Sequence, residues 1–200
     1  MSNSAAPPPA DDPKRARLLD AAMGVFARYG FRRASMADIA AAAGVSRPAL
    51  YLSFRSKQDV LRALAMRLRD EAMAAAAGAW RPGAAFAENL EATLLGKEMA
   101  FFALLRGSPH GKDLLAVDEA LTAETARDLD RAFRGLIAAR ARDAAAAGEI
   151  DLALQEGDAE GFAAVIAAAV KALMHEAADE AAFRAAVRRL CRMAAASVEA

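Results

Sequence analysis

The sequence predicts an all-α protein. Hydrophobic residues make up 56% of the 200-residue chain, and the commonest of them is alanine, the residue with the highest helix propensity. β-Branched residues are few, and no stretch alternates apolar and polar residues as a half-buried strand does. Charged residues make up 26%, so the composition is that of a globular protein and excludes a disordered or collagen-like chain.

Four helices are predicted in the N-terminal part, and serines and glycines set their limits. They run from about Lys14 to Tyr29, from Ser35 to Gly44, from about Ser46 to Phe54 and from Ser56 to about Ala77. Each serine can accept a hydrogen bond from a free N–H of the first turn, and Asp38 completes a capping box with Ser35. Gly30 and Gly44 suit helix ends, where a left-handed backbone is common.

Further helical patterns cover the rest of the chain and bring the total to about nine. They span about 84–106, 111–120, 123–147, 159–178 and 180–197, with Thr122 as the expected cap of the third. The proline-rich residues 1–13 are expected to form a disordered arm. We therefore expect a first domain over 14–60 and a larger helical domain over 61–200.

Charge, cysteine content and hydropathy narrow the class of protein. Residues 1–60 hold nine Lys and Arg against five Asp and Glu, so this end can face phosphate, while the net charge of the chain is zero. Cys191 is the only cysteine, which excludes a disulfide framework and fits a reducing cytoplasm. The most apolar stretch, 162–170, is too short to span a bilayer, and the N-terminus does not have the pattern of a secretory signal.

The second and third helices have the pattern of a helix-turn-helix. Gly44 lies between them, where a tight turn needs a left-handed residue. The residues expected to face inward are Ile39, Ala40, Val45, Leu50 and Phe54, and those left outside or at the helix start are Arg47, Pro48, Ala49, Tyr51 and Ser53. Arg47 and Tyr51 are four residues apart, so they share a side of the third helix that suits a DNA groove.

The segment 35–61, SMADIAAAAGVSRPALYLSFRSKQDVL, resembles the TetR family of transcriptional regulators, and FARYGF over 26–31 precedes it as in that family. The resemblance covers about 18–64. It implies a three-helix helix-turn-helix DNA-binding domain followed by a helical ligand-binding and dimerisation domain. It also implies a homodimer on a near-palindromic DNA operator, and a repressor that a small, largely apolar effector releases.

The resemblance further implies DNA contacts from Ser35, Ala37, Ser46, Arg47, Pro48, Ala49, Tyr51, Ser53 and Lys57. Arg47 is expected to donate two hydrogen bonds to a guanine, and Pro48 and Ala49 to contact a thymine methyl. Tyr51 and Lys57 are expected to contact phosphate or sugar. Ser53 stands where many members have histidine and Ala37 where some have arginine, so we expect sparse direct reading of bases.

The larger domain is expected to supply a dimer surface and an effector site. Apolar residues at helical spacing in the last two helices favour a four-helix interface between two subunits, although the same stripes can simply close the core of one subunit. Met99, Phe102, Leu105, His110 and Phe133 are the expected effector contacts, with core packing as the alternative.

Two other classes of protein are alternatives to a transcriptional regulator. An enzyme is disfavoured because the chain has no HExxH, Walker, GxSxG or Rossmann motif and no paired Glu-x-x-His, so we expect no catalytic residues, no metal and no cofactor. The other class is a helical ligand-binding or interaction protein whose helix-turn-helix no longer binds DNA. Arg47, Tyr51 and Lys57 argue against it.

Overall fold

The computed structural model describes residues 12–111, 119–153 and 156–198, and within these ranges the chain is helical with no strand. Eight helices are seen, and we number them in chain order: α1 Pro13–Arg33, α2 Met36–Ala42, α3 Arg47–Tyr51, α4 Lys57–Gly78, α5 Phe86–Gly107, α6 Glu119–Ala146, α7 Ala159–Glu176 and α8 Glu180–Ala196. The described residues fall into two compact units. Among the described residues, the first unit comprises 12–67 together with 104–111 and 119–124, and the second comprises 68–103 together with 125–153 and 156–198.

The all-α prediction is confirmed, with local differences. α1 continues to Arg33, and Gly30 marks a kink within it, with φ 74° and ψ 153°. Thr122 lies inside α6, which begins at Glu119, so the prediction that it caps this helix is wrong. The predicted arm 1–13 and the predicted helix 111–120 lie largely outside the described residues. The first unit also extends beyond residue 60, where the first domain was expected to end.

The first unit has one hydrophobic core, formed by α1 to α4. Its fully buried side chains include Phe26, Ile39, Leu50 and Val60. Leu50 is therefore the residue that anchors the short helix α3 to the helices around it. Burial of each such side chain contributes about 1.5–3 kcal/mol.

The segment after α5 belongs to the same unit and packs against α1. Ser108 Oγ donates a hydrogen bond to the carbonyl of Ala27 at 2.6 Å. The ring of His110 lies beside Gly30, where a Cβ would lie 3.2 Å from His110 Nδ1. The positive φ thus favours glycine at position 30, and the neighbouring imidazole leaves little room for a Cβ.

The second unit buries aromatic and aliphatic side chains from α5, α6, α7 and α8. Phe102 stacks on Phe183 with ring centroids 5.0 Å apart, and Phe133 is fully buried. α4 and α5 approach closely at Gly96, where a Cβ would lie 2.8 Å from the carbonyl oxygen of Ala75. None of the helices in the described ranges combines the length and the apolar character that a membrane span requires.

Candidate nucleic-acid interface

The turn between α2 and α3 is built by the capping residues that the sequence predicted. Ser35 Oγ accepts from the backbone N–H of Asp38, and the carboxylate of Asp38 accepts from the N–H of Ser35, which is a complete capping box. Gly44 has φ 65°, and Ser46 caps α3 by accepting from the N–H of Ala49. The chain therefore turns between the short helices α2 and α3, and the N-cap of each helix forms its hydrogen bond.

The outer side of α3 is exposed and carries polar and charged groups. Arg47 and Pro48 are exposed, Ala49 and Ser53 are partly exposed, and 45% of Tyr51 is accessible. Leu50, on the opposite side, is fully buried. The helix thus presents Arg47 and Tyr51 outward from a fixed base, which is the geometry that a recognition helix needs.

Leu52 is a feature that the sequence interpretation missed. It follows Tyr51 at the end of α3, and 83% of it is exposed. An apolar side chain at this place can contact a thymine methyl, as Pro48 and Ala49 can. The sequence did indicate this feature, because Leu52 does not belong to the inward-facing set that includes Ile39, Leu50 and Phe54.

Lys57 has a structural role that the sequence did not show. Its Nζ donates to the carbonyl oxygens of Phe31 at 2.7 Å, Ala34 at 2.8 Å and Arg32 at 3.1 Å. It also lies 4.6 Å from the centroid of the Phe31 ring. All three ammonium donors are thus directed at the end of α1, so the ammonium ties the start of α4 to the connection that precedes α2.

Two further groups at the interface also make contacts within the chain. Arg15 donates to the carbonyl of Ser53 at 3.3 Å, and its guanidinium lies 4.4 Å from the centroid of the Phe54 ring. Ser35 Oγ donates to Asp38, and these bonds hold the pKa of the Asp38 carboxyl below its usual value. Ala37 is partly exposed on α2.

The five predicted effector contacts are divided between the two units. Leu105 and His110 belong to the first unit, while Met99, Phe102 and Phe133 belong to the second. Phe102 and Phe133 are buried and Met99 is partly buried. Their effector role stays a prediction.

The apolar stripes of the last two helices are divided between core and surface. Phe162, Ile166 and Val187 are buried within the chain, whereas Val165 is 67% and Met193 72% exposed. The exposed pair lines a groove between α7 and α8, whose lining residues are Asp158, Gly161, Phe162, Val165, Ile166, Leu190, Met193, Ala194 and Ser197. The sequence periodicity could not separate these two sets.

The caps, the glycine turn and the exposed face of α3 define a helix-turn-helix DNA-binding domain. The family model described as bacterial regulatory proteins of the tetR family matches residues 18–64. Residues 18–64 therefore form a DNA-binding domain of the tetR family.

Relatives and a solved structure agree with this assignment. The chain is 32% identical to the HTH-type transcriptional activator FasR of Mycolicibacterium smegmatis over 111 residues, which cover 56% of this chain and 49% of that protein. It is 43% identical to the HTH-type transcriptional repressor KstR2 of Rhodococcus jostii over 60 residues, 28% of this chain and 29% of that protein. The matches thus span half or less of these relatives. A TetR-like transcriptional regulator from Rhodococcus sp. RHA1 superposes with a TM-score of 0.63 at 26% identity, covering 92% of this chain and 96% of that one.

Proposed function

We propose that this protein is a sequence-specific DNA-binding transcriptional regulator, and that it is a repressor released from its operator by a small, largely apolar effector. The observation that carries the proposal is the α3 surface. Leu50 fixes the helix to the core while Arg47 and Tyr51 project outward. The two named relatives are an activator and a repressor, so the sign of regulation needs its own measurement.

Within this proposal, Arg47 reads a guanine and Tyr51 contacts the backbone of the duplex. Pro48, Ala49 and Leu52 supply apolar contacts to thymine methyl groups. Ser35, Ala37, Ser46 and Ser53 complete the proposed interface. Lys57 supports it by holding the start of α4 against the end of α1. Few side chains on α3 can form hydrogen bonds with bases. We therefore propose that phosphate contacts and DNA shape contribute a large share of the binding affinity.

The operator is proposed to be near-palindromic because one short helix reads too few bases alone. Two copies of α3, about 34 Å apart on one face of the duplex, require a symmetric dimer. We propose that the dimer forms through α7 and α8. The exposed Val165 and Met193 beside a groove on these helices support it, since a second copy would remove both from water.

The effector is proposed to bind the helical second unit and to lower operator affinity through a coupling free energy of about 1–3 kcal/mol, as is typical of allosteric proteins. Met99, Phe102 and Phe133 are its proposed contacts in that unit, and Leu105 and His110 are proposed to respond to it in the first. We propose a cytoplasmic location, because a regulator of this kind acts on the chromosome.

The test is to capture genomic fragments of the source organism with the purified protein and to sequence them. We expect enrichment of one near-palindromic motif, bound as a dimer in gel shifts, and loss of the enrichment with Tyr51→Ala. The same experiment with Arg127→Met, a change at an exposed residue of α6, is the control. Enrichment of no motif, with ligand binding intact, would favour the alternative of a helical ligand-binding protein with a non-functional helix-turn-helix.

A further inference from the structure

A buried ion pair lies in the middle of α5, in the second unit. Lys97 Nζ is 2.6 Å from Glu98 Oε1, and the side chains are 13% and 1% exposed. The ammonium also lies 4.9 Å from the centroid of the Phe133 ring and 5.6 Å from that of Phe101. The ammonium of this ion pair thus lies beside two aromatic rings inside a helical unit.

Thr93 adds a second polar group on the same side of α5 as Lys97, because residues four apart share a helix face. It is 1% exposed, and its hydroxyl has no hydrogen-bond partner among the residues that the structure describes. A buried hydroxyl without a partner costs free energy, and a buried ion pair is often no more stabilising than apolar side chains of the same volume. A ligand that forms a hydrogen bond with the Thr93 hydroxyl would remove that cost.

We propose that Lys97 and Thr93 bind the carbonyl oxygen of an uncharged, largely apolar effector. The proposal rests on the function proposed above, whose effector it describes. An ammonium has three N–H donors, of which Glu98 accepts one, and the threonine hydroxyl supplies another donor. A carbonyl oxygen has two lone pairs, so it can accept one hydrogen bond from each of these two side chains.

The charges of the cluster exclude a charged ligand. Lys97 and Glu98 neutralise each other, so a carboxylate would leave one buried negative charge in excess and an amine one positive charge. Either excess is unfavourable in a site removed from water. A ketone, an ester or a lactone presents its oxygen without that cost, and Phe101 and Phe133 provide apolar surface for the rest of the molecule.

The experiment compares matched probes by calorimetry in the absence of DNA. Nonan-2-one and 4-phenylbutan-2-one are titrated against octanoate and 3-phenylpropanoate, which present similar apolar bodies with a carboxylate in place of the ketone. We expect the wild type to bind the ketones about tenfold or more tightly than the carboxylates. Lys97→Met and Thr93→Val should each weaken ketone binding by about five- to tenfold, the effect of one lost hydrogen bond. Arg127→Met, at an exposed residue of α6, is the control and should change nothing.

The proposal is overturned if neither ketone binds the wild type, if the carboxylates bind as tightly, or if both variants bind ketones like the wild type. Circular dichroism establishes that each variant is folded, and Thr93→Val keeps the ion pair intact if Lys97→Met does not fold. A gel shift with the wild type measures operator binding separately. Intact operator binding without ketone selectivity would remove this proposal alone, whereas ketone binding without any operator would remove the proposed function.

Discussion

The variant Lys57→Met tests whether this residue stabilises the fold or contacts DNA. The ammonium makes three hydrogen bonds to the carbonyls of Phe31, Arg32 and Ala34. A hydrogen bond from a charged donor contributes about 1.5–3 kcal/mol, but the Arg32 contact is exposed and all three carbonyls regain water in the variant. We therefore expect Lys57→Met to lower the free energy of unfolding by about 2 kcal/mol, measured by urea denaturation.

The salt dependence of operator binding distinguishes the two roles. If the ammonium is occupied by the three carbonyls, affinity falls by a similar factor at every salt concentration. The slope of log K against log salt then stays that of the wild type. A lost phosphate contact would instead reduce this slope by about 0.9. An unchanged free energy of unfolding together with a reduced slope would refute the structural role. Arg127→Met controls for loss of a surface charge.

Three further predictions follow from the geometry of single residues. Gly96→Ala should destabilise the protein by about 1–3 kcal/mol, because the new Cβ meets the Ala75 carbonyl. Gly135→Ala should stabilise it by up to about 1 kcal/mol, because a Cβ there has nothing within 4 Å. Thermal melts that shift both variants in the same direction would contradict this. Burial and, to a smaller extent, the charge of Glu91 raise the pKa of the Cys191 thiol to about 12. Ellman's reagent at pH 8 should therefore react with this thiol only as fast as the protein unfolds. A rapid reaction of the native protein would contradict this prediction. The hydrogen bonds from Ser35 lower the pKa of Asp38 below 3.8, so the carboxylate stabilises the fold fully at neutral pH and loses this effect as the pH falls through the lowered pKa. The difference in the free energy of unfolding between the wild type and Asp38→Asn should therefore be constant from about pH 5 to 8 and shrink in stronger acid. A difference that persists in stronger acid would count against the capping box.

The helix-turn-helix was predictable because its signals are local. Ser35 with Asp38, the left-handed Gly44 and the capping Ser46 each act within four residues, and the structure has them as the sequence indicated. The burial of Ile39 and Leu50 followed from helical periodicity. Local chemistry and periodicity thus agree in this part of the chain.

The roles that the sequence did not reveal depend on residues far apart along the chain. Lys57 contacts carbonyls 23 to 26 positions earlier, and Arg15 contacts Ser53, 38 positions later. Nothing in a lysine or an arginine on its own indicates such a partner. Periodicity likewise could not show that Phe162 belongs to the core while Val165 faces outward, because both fit one amphipathic stripe.

Glu98 had a signal that the sequence interpretation did not use. It lies four residues from Leu94 and four from Phe102, both buried, so it occupies the apolar face of α5. A charged residue at such a position is rarely buried without a partner or a function. The adjacent Lys97 supplies the partner, and only the structure shows the rings that enclose it.

Methylation interference on the enriched operator tests most directly whether α3 reads DNA as a symmetric pair. The account predicts that methylating guanine N7 blocks binding at two clusters in the major groove, about 34 Å apart on one face of the duplex, and that Arg47→Ala removes the interference at one guanine of each cluster. Interference in a single cluster, or a pattern that Arg47→Ala leaves unchanged, would contradict it.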